Sequence, residues 1–215
     1  LTIQSIGIFK QYMYMKNSDP GIDIDRIIQF ELPDYLVGRS DAIRGALKNH
    51  PGIEEISFSG QPLGSVRSTR TFTSPINQEQ IPFRLQIIDP EHLQVLGLNM
   101  LSGTFFSRDM GSERYLSVVI NETGAIAMGY DPPETITGLK WRPDGTDEYT
   151  FIGVVKDYHF NSMEIPIQPS LMVWMDGQMK ASLRFSSNDI PAIISHIEAV
   201  WESFEPDKPL TYSFL

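Results

Sequence analysis

Two stretches near the ends of this 215-residue chain carry the same order of patterns, and that duplication restricts the fold more than any other feature. Arg26 to Leu32 (RIIQFEL) reads as a strand closed by Pro33. A helix is predicted from about Ser40 to Asn49, with Ser40 or Asp41 as its cap and Ile43 and Leu47 on one face. Asn49-His50-Pro51-Gly52 ends it, and Ile53 to Ser59 (IEEISFS) reads as a second strand. The last forty residues repeat the scheme. Lys180 to Phe185 alternates as a strand, and Asn188 or Asp189 caps a helix with Pro191 in its first turn. Ile190, Ile193, Ile194, Ile197, Val200, Trp201 and Phe204 then fall at helical spacing. Pro206 stops that helix, and Leu210 to Leu215 reads as a closing strand.

Each helix has an apolar stripe that needs a sheet to cover it. One sheet shared by both β-α-β units is the economical solution, so the expected class is α+β with a split ferredoxin-like lobe. That lobe spans 19–64 and 178–215. Residues 65–177 have another texture and are expected to form an inserted, mixed α+β lobe. Ser65 to Gln80 is polar and rich in turns. Strands are predicted at Phe83 to Ile88, Leu116 to Ile120 and Leu171 to Trp174, with a short helix at Pro90 to Leu96 and another at Glu122 to Met128. Leu139 to Arg142 and Tyr149 to Val155 flank Pro143-Asp144-Gly145, a hairpin signal. Residues 1–18 read as a helix end, with Ile3, Ile6, Phe9, Tyr12 and Met13 at helical spacing before the breaker Asn17-Ser18-Asp19-Pro20-Gly21. A juxtamembrane stub and an ordinary N-terminal helix packed on the core both fit that pattern.

Composition removes several classes. The 41% of hydrophobic residues suffice for a core. A net charge of −10 leaves no basic footprint for nucleic acid. With no cysteine, disulfide scaffolds, thiolate zinc sites and cysteine nucleophiles are excluded. No apolar run reaches the ~18 residues needed to cross a bilayer. The chain lacks G-x-S-x-G, H-E-x-x-H and G-x-x-x-x-G-K-[ST], which removes the common hydrolase, zincin and P-loop readings.

Five segments, in order, resemble one family. Gly97-Leu98-Asn99-Met100-Leu101-Ser102-Gly103-Thr104-Phe105-Phe106-Ser107 is similar to the "G…G-R-x-F" stretch of MacB-type periplasmic core domains, found in FtsX-like ABC-transporter permeases. Thr104 stands where many relatives carry a basic residue. Val118-Val119-Ile120-Asn121-Glu122-Thr123 resembles "V-x-I-N-E", with Gly129 following. Phe151 to Phe160 (FIGVVKDYHF) resembles "I-G-V-V-K-D-F-H-F", with Asn161-Ser162-Met163 for "x-S-L" and Pro169 beyond. Lys16 to Gly21 resembles the linker leaving a first membrane helix, and Trp201 to Leu215 the closing segment.

The resemblance implies a Porter-like split lobe and a Sabre-like inserted lobe on the periplasmic side of a bacterial inner membrane, held by flanking membrane helices, one before and three after. It implies a permease homodimer or paired permease, a cytoplasmic ABC ATPase as partner, a periplasmic adaptor or substrate, and transport by mechanotransmission. It implies no enzyme activity and no cofactor.

Individual residues are read more plainly. Asp157-x-His159 could hold a metal or form a base–orienter pair, with Glu164 the only further candidate close in sequence. Alternatively, Asp157 accepts backbone hydrogen bonds at a strand end and His159 packs at the lobe junction. His50, His92, His159 and His196 are scattered, and His196 flanks an apolar stripe. Asn121 reads as a helix cap, and Met172, Met175 and Met179 as core and lobe interface. No catalytic, cofactor or metal residue is assigned. A transporter component should bring both chain ends to one side and lack a deep polar pocket. An extracytoplasmic ligand-binding or sensor module should show a concave pocket between the lobes.

Overall fold

A computed structural model describes residues 26–63, 68–145, 147–159, 165–186 and 188–215. The N-terminal segment 1–18, the "x-S-L" counterpart and Glu164 lie outside them. Four strands form the first sheet: β1 (Ile27–Glu31), β2 (Ile53–Ser59), β10 (Lys180–Phe185) and β11 (Tyr212–Phe214). Their order is β11-β1-β10-β2, every neighbour antiparallel. Helix α1 (Ser40–Leu47) joins β1 to β2, and α4 (Ile190–Phe204) joins β10 to β11. This is the split ferredoxin-like arrangement expected from the repeated pattern.

Alternation along these strands divides the sheet into two unlike faces. Ile28, Phe30, Ile56, Phe58, Ala181, Leu183 and Phe185 point one way and pack with Ile43 and Leu47 of α1 and Ile193, Ile197 and Trp201 of α4. Ile27, Ser57, Ser59, Ser182 and Arg184 occupy the alternate positions and are also buried. Their cover is the second lobe: Ile27 shares a core with Ile88, Val95, Leu96 and Trp174, and Arg184 Nε donates to Val95 O at 2.7 Å.

The second sheet has seven strands in the order β3-β4-β9-β6-β8-β5, with β7 also on β8. They are β3 (Thr69–Thr73), β4 (Gln80–Ile88), β5 (Met100–Gly103), β6 (Ser117–Asn121), β7 (Lys140–Trp141), β8 (Tyr149–Val155) and β9 (Ser170–Trp174). Parallel and antiparallel pairs mix, and α2 (His92–Leu96) and α3 (Glu122–Ala127) complete the lobe. Two strands escape the sequence reading. β3 (TRTFT) lies at the sheet edge and is mostly exposed, so it shows no apolar alternation. β5 is four residues long. The first helix also starts differently. A 3-10 turn over Asp34–Arg39 runs straight into α1, so neither Ser40 nor Asp41 caps it. The two other predicted caps are present. Asn121 Oδ1 accepts from Gly124 N, and Asp189 from Ala192 N.

β5 can lie against β8 because glycine stands on both strands. Gly103 (φ +70°) pairs with Gly153. A Cβ on Gly103 would strike Ile152 O, and one on Gly153 would strike Thr104 O and Met100 Cε. Gly153→Ala should therefore push the strands apart and cost about 2–3 kcal/mol. Chemical denaturation would record that loss, and a cost under about 0.5 kcal/mol would show that the strands have slack.

Candidate functional site: the cleft between the lobes

The lobes meet along β2, an edge strand whose outward backbone groups need partners. Side chains supply them. Arg44, on α1, donates from Nη1 to Ile56 O. Asp89, at the end of β4, accepts from Phe58 N at 2.7 Å. The same carboxylate accepts from Arg44 Nη2 at 2.6 Å and Ser57 Oγ at 2.7 Å. Arg44 also reaches Glu91 at 3.1 Å and lies over the Phe58 ring at 4.8 Å. Outside this layer, Arg108 grips Glu91 with two bonds of 2.7 and 2.9 Å and touches Asp41 at 3.1 Å. Three carboxylates and two guanidiniums thus tie α1 and β2 of the first lobe to the β4–α2 turn of the second. The backbone adds Gly60 N to Ile87 O at 2.9 Å.

Beneath the ion pairs is a second polar chain. His92 is fully buried, and its Nδ1 lies 3.1 Å from Ser57 Oγ. One hydroxyl therefore touches both the Asp89 carboxylate and the His92 imidazole. Burial pushes Asp89 up to about 6, although Arg44 and the Phe58 N–H pull it down. Burial pushes His92 down to about 4. Burial also acts to raise Glu91, yet the bonds from Arg108 and the charge of Arg44 hold it below the usual carboxylate range. The hydroxyl sits between carboxylate and imidazole and has 0% exposure. Acyl transfer needs the imidazole in the middle and the hydroxyl open to substrate, so the trio is not a nucleophile of that type.

An open cleft of about 380 Å³ lies over the ion pairs. Asp41, Arg44 and Phe58 line one wall, and Asp89, Arg108 and Trp174 another, with Met175 and Asp176 at the rim.

Residues singled out from sequence lie mostly elsewhere. Asp157 Oδ1 accepts from Thr123 N at 3.0 Å and Asn121 Nδ2 at 2.8 Å, and Oδ2 accepts from Thr123 Oγ1 at 2.5 Å. Its own N–H donates to Glu122 at 2.7 Å. Asp157 thereby fastens β8 to the start of α3. His159 is half-buried beyond Tyr158. Among the described residues, no group of three or more His, Cys, Asp or Glu side chains is arranged to hold a metal. His196 Nε2 faces Ala46 O and Leu47 O, the last carbonyls of α1. Met172 is core, whereas Met175 lines the cleft.

No protein-family model and no curated protein matches the chain. Solved structures do. The periplasmic region of MacB from Actinobacillus actinomycetemcomitans is 14% identical over 90% of each chain, with a TM-score of 0.60. The extracellular domain of the noncanonic ABC-type transporter YknZ from Gram-positive bacteria is 16% identical, covering 88% of this chain and 98% of its own, with a TM-score of 0.57. A domain from Porphyromonas gingivalis, described as part of a permease, is 16% identical over 89% and 91%, also with a TM-score of 0.57. The chain therefore has the fold of the MacB periplasmic region and the YknZ extracellular domain.

Proposed function

We propose that the chain is the extracytoplasmic domain of an ABC-transporter permease, placed on the periplasmic side of a bacterial inner membrane. There it relays ATP-driven motion and docks substrate or partner proteins, without catalysis of its own. One observation carries the reading beyond fold likeness. The chain enters β1 and leaves β11 side by side, and Leu215 N donates to Ile27 O at 3.1 Å. Residues 26 and 215 thus stand together at one edge of the first sheet, as a domain hung from one membrane by both ends requires. The ATPase would act from the cytoplasm on the flanking helices, and a second permease subunit would complete the assembly.

These 215 residues contain no cysteine, so a Cys introduced here is the only labelling site within the domain. A single spin label at exposed Glu202 of α4, one per protomer, in the full-length permease with its ATPase, reads the distance between domains. ATP should shift it by about 5 Å or more, the scale of rigid-body transitions. Superimposable distance distributions with and without ATP would overturn the relay. A second reading, an extracytoplasmic ligand-binding or sensor module, draws on the open inter-lobe cleft. It expects the distance to respond to a small ligand and not to ATP.

A further inference from the structure

The buried Asp89–Ser57–His92 chain has no part in the relay described above, and it joins two titratable groups through one rotatable hydroxyl. With Asp89 ionised, Ser57 Oγ–H donates to Asp89 Oδ1 (2.7 Å), and His92 donates its Nδ1–H to Ser57 Oγ (3.1 Å). With Asp89 protonated, the direction reverses. Asp89 donates to Ser57 Oγ, Ser57 donates to His92 Nδ1, and the imidazole proton sits on Nε2. One proton is gained from solvent in all, and the second only moves between the ring nitrogens. Both hydrogen bonds survive. His92 Nε2 has no partner among the described residues, so neither tautomer gains or loses a bond there. Asp89 Oδ2 keeps Arg44 and Phe58 N throughout.

We propose that this reversible chain is a proton-compensated latch, which holds the two lobes together with equal strength from neutral to mildly acidic pH. Separation of the lobes, by hinge motion or unfolding, returns both side chains to water. Between about pH 4 and 6 the docked junction has a protonated Asp89 and a neutral His92, whereas the separated lobes have an ionised Asp89 and a protonated His92. The proton counts are equal, so linkage gives no slope.

Among the described residues, the charged groups around the latch are Arg44 and Asp41 on α1, Glu55 on β2 with its partner Lys48, Glu91 in the same turn, Arg108 beyond β5, Arg184 on β10 and Asp176 beyond β9. A comparison of each variant with the unaltered chain cancels the contributions of the groups that do not feel the replaced side chain; Glu91, whose charge acts on Asp89, is the exception, and the sign of each slope is read against it. The inference rests on the junction alone and holds whether or not the chain serves a transporter.

Single substitutions should uncover two opposite slopes. Asp89→Asn leaves His92, which binds its proton only when the lobes separate. Relative to the unaltered chain, the folded-to-unfolded ratio should fall about tenfold per pH unit as pH drops from 6 to 4. His92→Gln leaves Asp89, which takes up its proton only when docked, so the ratio should rise about tenfold per unit over the same range. Urea unfolding of the 215-residue chain at several pH values reads both. Equal slopes, or slopes of the same sign, would overturn the latch. Should either variant fail to fold, ¹⁵N NMR of the unaltered chain decides. The His92 proton should move from Nδ1 to Nε2 as pH falls through about 6, with the ring still neutral. An Nδ1–H ring that persists to pH 4.5, or a ring that charges near 6.5, would reject the proposal.

Discussion

Replacing Arg44 with alanine is expected to lower the unfolding free energy by about 3–5 kcal/mol. The side chain is mostly buried, and so is Asp89, its partner at 2.6 Å. Removing the guanidinium strands a buried carboxylate, leaves Ile56 O without its donor and frees one side of Glu91. The cost is largely that of an uncompensated charge rather than the worth of the pair. The double variant Arg44→Met with Asp89→Leu should recover only part of the loss: no charge is then orphaned, but Ile56 O and Phe58 N lose their side-chain partners. Arg44→Lys should fall between, as one ammonium cannot span Ile56 O, Asp89 and Glu91 together. Denaturant titration with an unchanged slope would support this account. A loss below about 1 kcal/mol for Arg44→Ala would mean the junction is held by packing and not by charge.

Trp201→Ala should be as damaging, at about 3–5 kcal/mol. Trp201 meets Phe30 edge to face at 6.2 Å and is 8% exposed. Its Nε1–H donates to Lys208 O at 2.8 Å, which pins the segment between α4 and β11. Two losses are thus combined, a core cavity and a broken tether. Trp201→Phe separates them, since it keeps most of the ring volume and drops only the hydrogen bond, worth about 1 kcal/mol. Amide exchange at Ser213 and Leu215, whose N–H groups face β1, should accelerate in Trp201→Ala before the rest of the sheet. Exchange that rises uniformly would show that the segment is not separately tethered.

The split lobe is legible in the sequence because its elements are amphipathic in a regular way. The stripe from Ile190 to Phe204 and the alternation of Lys180 to Phe185 each name a buried face without help from distant residues. The cleft is not legible. In IEEISFS, Ser57 and Ser59 occupy the positions of an ordinary polar face. Nothing local reveals that a second lobe covers that face and buries both serines. Asp89 and His92 are separated from Ser57 by more than thirty residues, and their pairing exists only once β4 has docked along β2. Asp157 illustrates the reverse. Its spacing to His159 suggests a site, whereas its actual partners, Asn121 and Thr123, sit on a strand and helix over thirty residues earlier.

The antiparallel pairing of β1 with β11, Ile28 opposite Phe214, has a mechanical consequence. A load that moves the flanking segments at residues 26 and 215 in concert is carried into the sheet without straining any rung between them. A load that splays those segments apart meets the ladder end-on and opens it one rung at a time, with only three residue pairs to resist. The pairing of β1 with β11 therefore withstands shared motion better than splaying.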